Sequence, residues 1–267
     1  MVPVRVRRTF AFLDVSGFTA LTATQGDERS VEVVTLFRSA LRRICSRRAV
    51  RIAKWLGDGA MLVGVDASPV VSAALEAMCA SELLSEGVEL KCGVTSGPVI
   101  LLEGDDYIGH AVNLAARLCD LASGGQLLAD HGVVPHIPAW AKADASPPAA
   151  VRGITPAVEV VELTLHCPGP GNRDPVCGIP LVESTAAAWR PDGRARRLLF
   201  CSESCLDTWE SRPHDRRGAG RRGLRARRDR LTARPVRSRV DRDRGWPTVR
   251  SAPTRRSLRS PAGPRCA

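Results

Sequence analysis

Residues 50–65, VRIAKWLGDGAMLVGV, read as two strands joined by a tight turn: a run from Val50 to Lys54, the Gly57-Asp58-Gly59 corner, and a second run from Ala60 to Val65. This is a hairpin, and its neighbours fall into place around it. Before it, residues 9–14 (TFAFLD) read as a strand and Val15-Ser16-Gly17-Phe18-Thr19 as a turn opening a helical stretch. Residues 28–48 form a second helix with Val31, Val34, Leu41 and Ile44 among its apolar positions. After the hairpin, Pro69 marks a helix start and the Ala-, Val- and Leu-rich segment to Leu84 continues it. Two strands follow at 88–94 and 98–102, parted by Ser96-Gly97. The order βαββαβ predicts an α+β, ferredoxin-like domain with helices packed on one face of a sheet. A helix over 109–121 and strands near Gln126 and over 158–163 complete it.

The net charge of +11 over 267 residues invites a nucleic-acid reading, but the charge is not spread along the chain. Residues 214–267 carry 18 Arg and four Asp, a balance of +14, whereas residues 1–213 balance to −3. The basicity belongs to the tail. Rich in Arg, Gly, Ala, Pro and Ser, with Trp246 as its one aromatic residue, that tail lacks apolar periodicity and any stacking pattern. It reads as disordered, and nucleic acid is not the expected partner. Non-specific contact with polyanions and a tail without an evolved fold, from a shifted reading frame, both stay open.

No run of about 18 apolar residues stands out, and Asp14 interrupts the first apolar stretch too early for a signal peptide. The expected location is the cytoplasm, without membrane contact. Nothing before the domain reads as a transducing segment, so regulation is expected to differ from that of a membrane receptor.

The polar residues of the domain are spaced for nucleotide chemistry. Asp14 ends a strand and Asp58 sits in the hairpin corner, so both carboxylates can meet at one sheet edge and offer hard oxygen ligands to Mg²⁺ or Mn²⁺. Backbone N–H groups of Ser16, Gly17, Phe18 and Thr19, at a helix start, suit phosphate. Asn113 and Arg117 are four apart in a helix whose opposite stripe is Val112, Ala115, Leu118, Cys119 and Ala122, so the pair points outward. Arg suits a phosphoryl oxygen and Asn a ribose. Lys54 and Asp106 complement the N1 acceptor and N6 donor of adenine, and they mismatch guanine. Each residue alone has a plainer use: Asp14 as a helix cap, Asp58 as a turn former, Asn113 and Arg117 as a solvated face.

Taken together, FLDVSGFT, KWLGDGAML, GDDYIGHAVNLAARL and VRGITPAVEVVEL make residues 7–165 resemble the catalytic domain of class III adenylyl/guanylyl cyclases. The resemblance implies that Asp14 and Asp58 bind two metal ions and that Lys54 and Asp106 select ATP. It also implies that Asn113 orients the ribose and Arg117 stabilises charge on the α-phosphate. It further implies a head-to-tail homodimer, with the two aspartates of one subunit facing the other four residues of its partner. The product would be cyclic AMP; a guanylate cyclase and a catalytically inactive signalling dimer are the alternatives.

Nine cysteines in a chain expected inside the cell point to free thiols or metal ligands. Cys45, Cys79, Cys92 and Cys119 lie in apolar patterns and read as buried thiols. Cys177, Cys201 and Cys205 stand apart, beyond a Pro/Gly linker at 166–173. They converge if a strand over 197–200 leads into a short helix, whose start would favour thiolates and hence a soft metal such as Zn²⁺. A small fold whose thiols simply pack inward is the other reading. The pattern lacks a fourth ligand, for which His214 is a candidate by proximity. DPVCG and FCSESC make residues 174–213 resemble a YHS domain, a relative of the TRASH metal-binding module. That suggests a cyclase regulated by metal or thiol state.

Overall fold

Strand β1 (Arg5–Val15) pairs antiparallel with β4 (Leu90–Leu101) without a break, from Arg5 opposite Ile100 to Val15 opposite Leu90. The computed structural model describes residues 5–102, 106–165, 172–191 and 197–211. The tail at 214–267, His214 and most of the linker at 166–173 lie outside the described residues. Around the central pair the chain adds α1 (Phe18–Arg48), β2 (Arg51–Leu56), β3 (Gly59–Gly64), α2 (Ala67–Met78), α3 (Ser81–Leu84), β5 (Tyr107–Ile108), α4 (His110–Leu121), β6 (Leu127–Asp130), β7 (Ala141–Ala145) and β8 (Val160–Leu165). The sheet runs β2-β3-β1-β4-β6-β8-β7, with β5 folded onto the end of β4. The leading βαββαβ order is the expected one.

Three expectations change in detail. The break at Ser96-Gly97 does not exist, because both residues continue the ladder, opposite Thr9 and Arg8. Gly97 serves a close approach instead: a Cβ there would stand 3.0 Å from that of Ala111 in α4. The two early helices form one stretch broken at Gly26, whose φ of 86° and ψ of 173° only glycine adopts readily. The buried stripe of α1 is Val33, Phe37, Ala40, Leu41 and Ile44, so Leu41 and Ile44 face the core as expected, whereas Val34 is half-buried and Val31 exposed. The two helices of the βαββαβ order share one face, as expected. α1 and α2 pack under Ala11, Leu13, Val15, Cys92 and Val94, whereas α4 packs against the other face with Phe10 and Val99.

The apolar stretch 67–84 has the length and composition of a membrane span. It is instead a core helix and its continuation, with Val70, Val71, Ala73 and Ala74 fully buried. Each such Val contributes about 1.5–3 kcal/mol by leaving water. Cys45, Cys92 and Cys119 are buried as expected, and Cys79 is half-buried. Burial pushes the Cys45 and Cys119 thiols up to about 12, which keeps them neutral.

Residues 172–211 add two short hairpins, β9 (Asn172–Arg173) with β10 (Pro180–Leu181) and β11 (Ala188–Pro191) with β12 (Arg197–Phe200), then α5 (Glu203–Glu210). Ile179, Leu181, Leu199, Phe200 and Leu206 join the same hydrophobic cluster as α1 and α2. The segment is therefore docked on α1 and α2 rather than separate from them.

Gly93 fixes how closely α4 lies on the sheet, since a Cβ there would stand 2.2 Å from Ala115 O and 2.3 Å from Cys119 N. Gly93→Ala must push the helix outward and is expected to lower stability by about 1–3 kcal/mol. Urea unfolding measures it; a variant as stable as wild type would show that α4 does not need this contact.

Candidate functional site

Alternation along β1 puts Phe10, Phe12 and Asp14 on the face that α4 partly covers. Asp14 sits opposite Gly59, next to the turn that holds Asp58, so the two carboxylates share the end of the sheet. Burial raises the Asp58 carboxyl above its ordinary value, and the charge of Asp14 adds to this against the opposing backbone hydrogen bond. Two carboxylates that share a half-buried edge are a fitting donor set for a divalent cation.

Asp14 does not cap α1. That position belongs to Gly17, at φ 72°, without a side-chain cap hydrogen bond, which leaves the N–H groups of Gly17, Phe18 and Thr19 for an anion; Ser16, expected among them, donates its N–H to Glu89 O at 2.8 Å instead. Asp14 instead accepts from Lys91 Nζ at 3.2 Å. Burial lowers the affinity of Lys91 for its proton, but the hydrogen bond and charge of Asp14 outweigh this and hold it above its usual value. Sequence reasoning missed Lys91. The available signal was scarcity: the chain has 3 Lys against 36 Arg, and two of the three lysines, Lys54 and Lys91, are at this site.

Lys54 on the edge strand β2 donates to Asp106 Oδ1 at 2.8 Å, and the same oxygen accepts from Tyr107 N at 2.8 Å. The Lys54 hydrogen bond, then that of Tyr107, pull the Asp106 carboxyl below its ordinary range. The pair forms because the β4–β5 hairpin folds back, with Tyr107 edge-on to Phe10 and its hydroxyl accepting from Arg51 at 2.9 Å. Asn113 and Arg117 are exposed on α4 while Val112, Ala115, Leu118, Cys119 and Ala122 are buried, as the spacing requires. Arg117 pairs with Asp120 at 3.2 Å.

Lys54 lies two strands and two residues from Asp14 in the register, roughly 12 Å apart on one face by strand spacing and rise. One chain thus assembles two separate half-sites, the carboxylates with Lys91 and the Lys54–Asp106 pair, and does not bring the six residues into one pocket.

A second cluster lies beneath α1. The ligand atoms of Asp174, Cys177, Cys201 and Cys205 all fall within 4.8 Å of one another. Sγ of Cys201 is 3.5 Å from that of Cys177 and 3.7 Å from that of Cys205. A tetrahedral metal with bonds of about 2.3 Å to sulfur has edges of about 3.8 Å, so the thiols already stand at that spacing. Thiol hydrogen bonds from Cys177 and then Cys201 pull the Cys205 thiol well below its ordinary value. The fourth donor is Asp174, 2% exposed; its Oδ1 accepts from Val176 N and Cys177 N, and its Oδ2 from Cys201 N at 2.7 Å. The sequence hides this role because Asp174-Pro175 reads as a turn.

No protein-family model matches the chain. An uncharacterized protein of Mycobacterium tuberculosis is 32% identical over 152 residues, 57% of this chain and 40% of that protein. An adenylate cyclase of Streptomyces coelicolor is 33% identical over 127 residues, 46% of this chain and 32% of that enzyme. The chain thus spans less than half the length of these relatives. Among solved structures, the adenylyl cyclase CyaB from P. aeruginosa superposes with a TM-score of 0.56 at 23% identity, over 64% of this chain and all of that one. The guanylyl cyclase Cya2 superposes with a TM-score of 0.54 at 18% identity, over 61% of this chain and 94% of that one. The fold is that of class III nucleotide cyclase catalytic domains.

A carboxyl held above its ordinary value stays protonated further up the pH scale in the folded chain than in the unfolded one, so ionised Asp58 destabilises the metal-free fold at neutral pH. Asp58→Asn is therefore expected to melt higher than wild type at pH 7 without metal, with the gap closing as pH falls into the carboxylate range. Added Mn²⁺ should stabilise wild type and leave the variant unchanged in the same melting assay.

Proposed function

We propose that residues 7–165 are the catalytic domain of a homodimeric adenylate cyclase, converting ATP to 3′,5′-cyclic AMP and pyrophosphate in intracellular signalling. The observation that carries this reading is the pairing of half-sites: carboxylates at one end of the face, and a Lys54–Asp106 hydrogen bond of 2.8 Å apart from them. Neither half is useful alone. A second copy turned head to tail sets the Asp14–Asp58 edge of one chain against Lys54, Asp106, Asn113 and Arg117 of the other, and each nucleotide is shared. The exposed Leu101, Leu102 and Ile108 on the hairpin that carries Asp106, with Leu56 on the strand of Lys54, supply apolar surface for that contact.

In such a site Lys54 donates to N1 of adenine and Asp106 accepts from N6, which guanine cannot satisfy. Asn113 holds the ribose so that its 3′ oxygen lies in line with the α-phosphorus. Arg117 exchanges Asp120 for the α-phosphate and meets the charge that develops there. The N–H groups of Gly17, Phe18 and Thr19 receive the β- and γ-phosphates, and Lys91 turns from Asp14 to the departing pyrophosphate. The 3′ O–P bond forms as the bond from the α-phosphorus to the pyrophosphate oxygen breaks. Mg²⁺ or Mn²⁺, two per site on Asp14 and Asp58, would acidify the 3′-hydroxyl and neutralise the leaving group. Residues 174–213 are, in the same proposal, a YHS-like module whose Cys177, Cys201 and Cys205, with Asp174, hold Zn²⁺.

Purified protein with Mn²⁺ and ATP should release cyclic AMP and pyrophosphate, and GTP should give little cyclic GMP. Asp58→Ala and Asn113→Ala should each lose about 10²–10³ of the rate. Mixed and allowed to exchange, the two inactive variants should regain about a quarter of wild-type activity, since half the dimers are then mixed and each has one intact site of two. Exchange without recovery would exclude the shared site, and unaltered ATP would exclude the activity.

A further inference from the structure

Arg48, the last residue of α1, is 8% exposed and divides its guanidinium between α2 on one side and residues 177–202 on the other. Nε donates to Glu76 Oε2 in α2 at 2.9 Å, while Nη2 donates to Cys201 Sγ at 3.0 Å and approaches Cys177 Sγ at 3.9 Å. Nη1 donates to Ser202 Oγ, the cap of α5, at 3.3 Å. Arg47 pairs with the same Glu76, which is itself 3% exposed. Two buried guanidiniums thus share one carboxylate, and the remaining positive charge faces the sulfurs and the buried carboxylate of Asp174 beside them. Three thiolates and one carboxylate around a divalent ion leave two negative charges, against the one of Asp174 beside neutral thiols, so the metal-loaded cluster holds the Arg48 guanidinium more tightly.

The contact is built from both sides. Ser204 Oγ at the start of α5 donates to Arg47 O at the end of α1 at 2.6 Å, so the carbonyl end of one helix meets the N–H end of the other. A cleft of ≈ 470 Å³, lined by Arg43, Arg47, Glu76, Glu82 and Cys177 among others, opens a polar path to the half-buried Cys177. The cluster is therefore approached from the cleft at Cys177, while Cys201 and Cys205 lie buried behind it.

We propose that Arg48 is a clasp: metal held by Asp174, Cys177, Cys201 and Cys205 fixes the sulfur that Arg48 grips, and so locks residues 172–211 onto the α1–α2 pair. This rests on the metal reading of the cluster and is independent of catalysis. Occupancy then sets the rigidity of the last turn of α1 and of α2 around Glu76. Asp174, with both oxygens on backbone N–H groups, is the positioning residue that holds the Cys177 turn against the start of α5.

The test uses the full chain with Co²⁺ as a spectroscopic probe and Zn²⁺ for hydrogen exchange. Wild type should take one Co²⁺ with thiolate charge-transfer and tetrahedral bands, and Cys205→Ser should lose them. Zn²⁺ should slow amide exchange in residues 45–50 of wild type by roughly tenfold or more, a local opening effect. Arg48→Met should keep the cobalt spectrum and lose that slowing. Where the methionine variant does not fold, Arg48→Lys, which cannot span Glu76 and the thiols together, should behave alike. No cobalt–thiolate bands in wild type would overturn the metal reading. Bands without slowed exchange, or equal slowing in the Arg48 variants, would overturn the clasp while leaving the metal site standing.

Discussion

The unbroken pairing of β1 with β4 is the constraint on which the rest of the domain depends. Its register sets Asp14 opposite Lys91 at one end and carries the chain to the β5 hairpin and Asp106 at the other. Because side chains alternate across a sheet, a slip of one residue would turn Asp14 into the α1–α2 core and Leu13 toward solvent. That core, with Ala11, Leu13 and Val15 buried beside Cys92 and Val94, is what forbids the slip. The same register places Gly93 beneath α4, so a single pairing fixes the carboxylates, the lysine beside them and the helix that presents Asn113 and Arg117.

The sheet is covered unequally. α1 and α2 close one face, and α4 closes part of the other, leaving the β2–β3–β1 side as a platform with Lys54 on its edge strand. An edge strand ending in exposed Leu56, beside a hairpin with exposed Leu101, Leu102 and Ile108, is a place where a sheet protein either associates or must defend itself with charge. The charges present are paired inward, Lys54 with Asp106 and Arg51 with Tyr107, so they organise the surface rather than repel a neighbour. This is why we read the separation of the half-sites as a requirement for a second copy and not as a defective pocket.

How much of this was legible in the sequence depended on what each residue does locally. The hairpin at 50–65, the outward Asn113 and Arg117 and the strand into α5 were readable, because turn chemistry and periodicity act over a few residues. Ser96-Gly97 misled, because a glycine that admits Ala111 of a helix looks the same in sequence as one that turns a chain. β7, with the sequence AKADA, has little strand propensity and exists through its pairing with β8. Arg48 was invisible for a different reason. In the run SRRAVR it is indistinguishable from a basic helix end in water, and it is buried by its contacts with Glu76 of α2 and with residues 172–211.

That burial bears on how the two clusters can influence one another. α1 begins just after the Ser16–Gly17 loop and ends at Arg48, which suggests a rod between them, but Gly26 interrupts it with a backbone conformation that breaks the hydrogen-bonded ladder. A displacement at Arg48 is therefore not passed straight along the helix axis. The segment after the break is held instead by Val33, Phe37, Leu41 and Ile44 in the core, and by Glu76 to α2. Close-packed interiors shift between discrete arrangements rather than deform smoothly. α1 and α2 pack beneath β1 and β3, the strands that meet where Asp14 and Asp58 stand, so the connection between the cysteine cluster and the carboxylates is indirect, by way of the sheet.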